Sequence, residues 1–204
     1  MLWLGIIALV LGRTPDGVRP VIAPADAAEQ YAEWARSKGS SDELVCEAIW
    51  PGEALLCFRV WEDKRRRWVT KKDLEKWDTN IAALRALVAD QGKAHLEELE
   101  QRPIEGTDGH YWVLVDGDGW TAAGVLNPTL LAQKIGSQKV MVGMPAEGIL
   151  MAWQPENADR DHIMAVGVRE LFDSQKEGVT AVVYSWTGTR WLPYAEAKEA
   201  EPED

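Results

Sequence analysis

Residues 139–153 read KVMVGMPAEGILMAW. Lys139–Met144 and Gly148–Trp153 are apolar runs of strand length, and Pro145-Ala146-Glu147 between them supplies a turn. Helical patterns flank this pair on both sides. Upstream, Asn127 before Pro128 sets an N-cap ahead of N1 and opens a short helix to about Ile135, with Gly136 just past its end. Downstream, Asn157 or Asp159 caps a helix to about Gln175, with Ile163, Val166 and Leu171 expected to face inward and Gly178 ending it. Tyr111–Val115 reads as a strand, Asp116-Gly117-Asp118-Gly119 as its turn and Trp120–Leu126 as the return strand. Val179–Trp186 and Arg190–Tyr194 are the last two strands, around Thr187-Gly188-Thr189. The C-terminal half thus reads as a β-α-β-β-α-β-β unit. The fold class is α+β, a mostly antiparallel sheet with helices packed on one face.

The N-terminal half fits the same class. Pro24 and Asp26 open a helix that Gly39 closes, with Tyr31 and Trp34 three apart on a shared face. Strands at about Glu43–Trp50 and Ala54–Trp61 flank a Trp50-Pro51-Gly52-Glu53 turn, and Lys64–Arg67 makes a second tight connection. Thr70 caps Lys71–Trp77, with Asp73 at N3. A longer helix then runs from Asp78 or Thr79 to about Gln101, with Ile81, Leu84, Leu87, Val88, Leu96 and Leu99 as its apolar stripe, Gly92 as a place to kink and Pro103 as its end. Residues 1–194 therefore form one α+β domain in two halves, 1–102 and 103–194, and residues 195–204 an acidic, disordered tail.

The chain has 204 residues with 33 acidic and 22 basic side chains, a net charge of −11. The imbalance lies in residues 103–204, which carry 7 basic and 16 acidic groups. Such a surface repels phosphate backbones and favours a basic partner, so nucleic acid is not expected as a ligand. One basic island, from Lys64 to Lys76, is interleaved with acids and with Trp61, Trp68 and Trp77, and reads as a turn and a solvated helix face.

Leu2–Leu11 is an apolar run of ten residues without a basic n-region, too short to span a bilayer. Followed by Thr14-Pro15-Asp16-Gly17 and then Val18–Ile22, it reads as a buried strand, a turn and an edge strand that tolerates Pro20. An inner-membrane or export segment at 2–11 is the alternative. The two cysteines, Cys46 and Cys57, pair across the Pro51-Gly52 turn when one counts outward from a two-residue loop. That count puts them at a hydrogen-bonded site, where side chains are less close, so two buried thiols in a reducing cytoplasm are expected over a cross-strand disulfide.

Four fragments, in order, resemble the YtpQ-like bacterial domain of unknown function. They are Val69-Thr70 with Asp73-Leu74 and Trp77; Asp118-Gly119-Trp120 with Leu126 and Pro128; Val142 and Pro145 before Leu150; and Tyr184, Trp186 and Trp191. The resemblance covers about residues 60–194. It implies an α+β fold and carries no established activity, so no functional residue transfers. Where that family reads P-x-R-D before the second strand, Glu147 and Gly148 stand in place of the Arg and Asp.

No catalytic residue, metal site or cofactor is assigned. Asp116-x-Asp118-Gly119 begins like a calcium loop, but position 12 is Asn127 rather than the bidentate Glu that the loop needs. His95, His110 and His162 lack zinc spacing, and phosphate-loop and nucleophile-elbow motifs are missing. Tryptophan stands out, at 11 residues against 2 Phe, and Trp is enriched at interfaces. The expectation is a non-catalytic, cytoplasmic protein-binding module, in its most concrete form an acidic immunity or inhibitor protein with a basic partner. Its expected contact residues are Trp120, Trp186, Trp191, Asp116, Asp118, His110, Asp159 and Asp161. A hydrolase with His110 and acids in a cleft, and an adaptor tethered through residues 2–11, are the alternatives.

Overall fold

A computed structural model describes residues 17–62 and 65–195 of the chain. The apolar segment at Leu2–Leu11, most of the turn after it, and the tail from Glu196 onward lie outside the described residues.

The first sheet contains β1 (Val18–Pro24), β2 (Cys46–Trp50), β3 (Ala54–Glu62) and β4 (Arg65–Trp68). β3 is its spine, with β1 along one side and β2 and β4 sharing the other. Helix α1 (Ala27–Ser37) connects β1 to β2. Then follow α2 (Lys71–Trp77) and α3 (Ile81–Gly92). The second sheet is built from β5 (Glu100–Pro103), β6 (His110–Val115), β7 (Val140–Ala146), β8 (Ile149–Trp153), β9 (Val183–Trp186) and β10 (Trp191–Pro193), in the order β10-β9-β7-β8-β6-β5. Helices α4 (Ala122–Leu126) and α5 (Pro128–Lys134) lie between β6 and β7, and α6 (Ala158–Ser174) between β8 and β9. Every strand pairing among these elements is antiparallel, and the α+β class is as expected.

The principal core lies between the two sheets. Ile22, Leu56, Phe58 and Val60 from the first sheet meet Val142, Leu150 and Ala152 from the second, with Leu84 and Val88 of α3 and Val125 of α4 joining them. The opposite face of the second sheet carries Met141, Met151, Trp153 and Val183, and Met164 and Val168 of α6 cover it. Helices therefore flank this sheet on both sides rather than on the one face expected, because β7 and β8 alternate two apolar sets along one backbone.

Three local readings are corrected. Trp120–Leu126 is not a return strand: Ala122–Leu126 is helical. The Asp116 carboxylate accepts from the Asp118 and Trp120 amides at 2.8 and 2.6 Å, turning the chain into α4. The helix expected through to Gln101 stops at Gly92, continues as a 3₁₀ segment at Lys93–Glu98, and gives way to β5. A Cβ at Gly92 would sit 2.7 Å from Ala123 Cβ, so this glycine lets α3 and α4 touch. On α6 the buried residues are Asp161, Met164 and Val168, whereas Ile163, Val166 and Leu171 are exposed.

Cys46 and Cys57 face each other in register, as counted, but they form a disulfide and are not free thiols. Trp50 pairs with Ala54, not Glu53, and an irregularity between Ala48 and Trp50 restores the count. The longer loop and the bulge reverse the alternation. The Cα atoms are 4.2 Å apart, the close spacing of a non-hydrogen-bonded pair.

Candidate functional site

On β3 and β4 the residues that point away from the core are Arg59, Trp61, Arg66 and Trp68. Arg59 lies opposite Trp68 and Trp61 opposite Arg66, so the period of two sets cation against aromatic across the strand pair. The Arg59 guanidinium lies over the Trp68 ring at 4.0 Å and that of Arg66 over Trp61 at 4.7 Å. Next to them Val21, Ala23 and Cys57 form a small buried cluster under Ala27 of α1. Of α1 itself only Ala35 is buried, so the helix covers this face in part.

What remains is a cleft of about 1140 Å³ with Arg59 and Trp68 on its floor. Tyr31 and Trp34 on α1 form one wall, with ring centres 5.3 Å apart. Glu147 from the β7–β8 turn and residues 176–179 form the other. That wall is held in place by Val179 N donating to Pro145 O and by an Ala146–Gly178 bridge.

The charges in the cleft are mostly paired. Arg67 grips Asp73 with both ends of its fork, at 2.6 and 2.9 Å. The Thr70 amide also donates to Asp73 at 2.9 Å, completing the start of α2 that the sequence predicts. Burial works to raise the Asp73 pKa, but the bonds from Arg67 and Thr70 outweigh it and hold the carboxyl below its ordinary value. Partial burial first, and then the charges of Asp42 and Asp73, push the Tyr31 phenol up, so it stays a neutral donor. Lys72 lies 3.7 Å from Asp42. Arg59 Nη1 donates to Glu147 Oε1 at 2.5 Å. No histidine is among the described residues that line this cleft.

The expected contact residues divide between the two sides of the second sheet. Trp120 is buried, stacked on His95 with ring centres 4.5 Å apart, and Arg19 lies over its ring. Trp186 and Trp191 are half-buried against the principal core, and Trp191 Nε1 donates to Val125 O. Asp116 shapes the turn, and Asp118 pairs with Arg66 at 3.5 Å. On the far side, Asp161 is buried and accepts from Trp153 Nε1 at 3.1 Å and from Tyr194 OH at 3.2 Å. Asp159 is exposed on α6. His110 lines a separate small pocket of about 160 Å³ with Asp108, Glu156 and Arg160. There Arg160 is paired with both acids.

Sequence reasoning did not single out Arg59, Trp68, Tyr31 and Trp34 as a site. The signal was present as Arg and Trp alternating on adjoining strands, but residues 64–76 read more simply as a solvated face. Among the described residues no group of His, Cys, Asp and Glu is placed to hold a metal, and no helix is long and apolar enough to cross a membrane. No family model, curated protein or solved structure matches the chain, and the resemblance to YtpQ-like domains rests on the four fragments alone.

Proposed function

We propose that the chain is a non-catalytic protein-binding module whose partner is a basic protein docking on α6, in the manner of an acidic immunity or inhibitor protein. The observation that carries this reading is the outer stripe of α6. Asp159, Ile163, Val166, Glu170 and Asp173 follow one another at steps of four, three, four and three residues, and all are exposed. Ile163 and Val166 are 42% and 41% exposed, and Leu171 beside them 37%. Ile163 and Val166 form a small apolar spot on this stripe, and Asp159, Glu170 and Asp173 around it favour a cationic cover.

Gly167 supports the same reading. A Cβ there would meet nothing within 4 Å, so packing within the domain does not require glycine. Glycine inside a helix costs about 1 kcal/mol relative to alanine. On the partner side it leaves a shallow dent between Ile163, Val166 and Leu171, where another backbone can come close.

The test is capture of partners from the native lysate on immobilised protein at low and high salt, repeated with Ile163→Ser/Val166→Ser and with Asp159→Lys/Asp173→Lys. A basic protein held stoichiometrically at low salt, released by high salt and lost with both variants is the expected outcome. Capture that is indifferent to salt and to both variants overturns the reading.

A further inference from the structure

We propose that the cleft beneath α1 is a second binding site, for an extended peptide segment that delivers a carboxylate to Arg59. The proposal stands apart from the α6 surface, since it concerns the other sheet. Two arginines in the cleft set up the contrast. Arg67 gives both ends of its fork to Asp73. Arg59 gives a single Nη1 bond to Glu147 and has no other acceptor among the described residues. Its side chain is nonetheless only 23% exposed. The remaining guanidinium donors have no protein acceptor among those residues and are open to the cleft, where an incoming acceptor can reach them.

Trp68 occupies one face of the guanidinium at 4.0 Å, and Glu147 steadies its edge. The fork is therefore ordered before any ligand arrives, which lowers the entropy cost of binding. A planar carboxylate with two oxygens is the group that such a fork accepts best. Across the cleft Trp34 is 55% exposed and tilted against Tyr31, an aromatic wall for an apolar side chain next to the acid.

The size and the mixed charge decide the class of ligand. At about 1140 Å³ the cleft lies at the upper end of ligand-pocket sizes, about 300–1,000 Å³, with room for a segment of several residues. Asp26, Asp42 and Glu177 also line it. A phosphate backbone would meet these carboxylates as well as Arg59, Arg66, Arg67, Lys72 and Lys176 of the cleft, whereas polyanion binding is favoured by continuous cationic contact. An extended peptide alternates its side chains and can place an acid at Arg59, an apolar group on Trp34 and a base near Asp26 or Asp42.

The test is selection of a displayed library of eight-residue peptides on the intact protein, on Arg59→Gln and on Trp34→Ala, with single-stranded oligonucleotides as a parallel probe. Trp34 is exposed, so its variant remains informative if Arg59→Gln loosens the fold, which a thermal melt reports. The expected result is enrichment of peptides with Asp or Glu beside an aromatic or aliphatic residue. Their binding should fall at least tenfold with either variant and persist in Ile163→Ser/Val166→Ser. Absence of enrichment on the intact protein, enriched peptides without an acid, binding that survives both cleft variants, or preferential capture of oligonucleotides overturns the proposal. Because the α6 variant is expected to leave peptide selection intact, failure here and failure of the docking surface are told apart.

Discussion

The outer faces of the two sheets are finished in opposite ways. On the second sheet, Met141, Met151 and Trp153 point outward, and α6 lies across them with Met164 and Val168. The buried Asp161 in that layer bonds to Trp153 and Tyr194. On the first sheet α1 covers only the strip made by Val21, Ala23 and Cys57, and Arg59, Trp61, Arg66 and Trp68 border open space. A run of purely apolar outward residues must be covered, because leaving it wet forfeits about 25 cal/mol per Å². A face of Arg stacked on Trp can stay open, since each cation shields an apolar ring and keeps its own hydration. The closed face therefore serves stability, and the open one is available for binding.

The largest expected effect tests this division directly. Trp153→Ala on the closed face should cost about 3–5 kcal/mol in chemical denaturation, whereas Trp68→Ala on the open face should cost about 1–2 kcal/mol. Equal losses would break the comparison. Next, replacing Cys46 and Cys57 by alanine removes a cross-link over a sequence separation of 11, with an expected loss of about 2–3 kcal/mol. The same loss should appear when the intact protein is melted under reducing conditions.

Asp73 comes third. Asp73→Asn at neutral pH should cost about 1.5–3 kcal/mol, the scale of a hydrogen bond to a charged group. Because the folded-state pKa lies below the ordinary aspartate value, the wild-type advantage is complete above that ordinary value. It is lost as the pH falls through the lower, folded-state pKa, so the two melting curves should converge in acid. A difference that grows in acid would contradict the arrangement with Arg67 and Thr70. The smallest effect has the opposite sign. Gly167→Ala should stabilise the protein by about 0.5–1 kcal/mol while weakening partner capture at α6, and a gain in capture would argue against the docking surface.

Residue patterns carried much of the architecture. The hairpin of β7 and β8 was legible because both strands are apolar throughout, although β7 runs on through Pro145 and Ala146 and the turn is Glu147-Gly148. The caps at Thr70 and Asn157 were legible because a cap is a contact between near neighbours in sequence, and both helices begin there. The candidate cleft was not legible. Arg59, Glu147 and Trp34 are far apart in sequence and meet only when α1 and the β7–β8 turn fold over the first sheet.

What the amino-acid sequence determined by itself was the class and the order of most elements, since both follow from local periodicity; it set Cys46 opposite Cys57 but as thiols, and the disulfide depends on a longer loop and a bulge that the count did not contain. Tertiary structure decided the choices that local patterns leave degenerate. Helix α6 carries two sets of residues, Ile163 and Val166 on the outward side and Asp161, Met164 and Val168 on the inward side, with Leu171 at the edge between them. The sequence favours the set without a charge. The fold buries the other, because Trp153 and Tyr194 supply the hydrogen bonds that make a buried Asp161 tolerable. Likewise Ala122–Leu126 is a helix packed on α3 where a Cβ at Gly92 would collide with Ala123, a fit that exists only once the two segments are packed together.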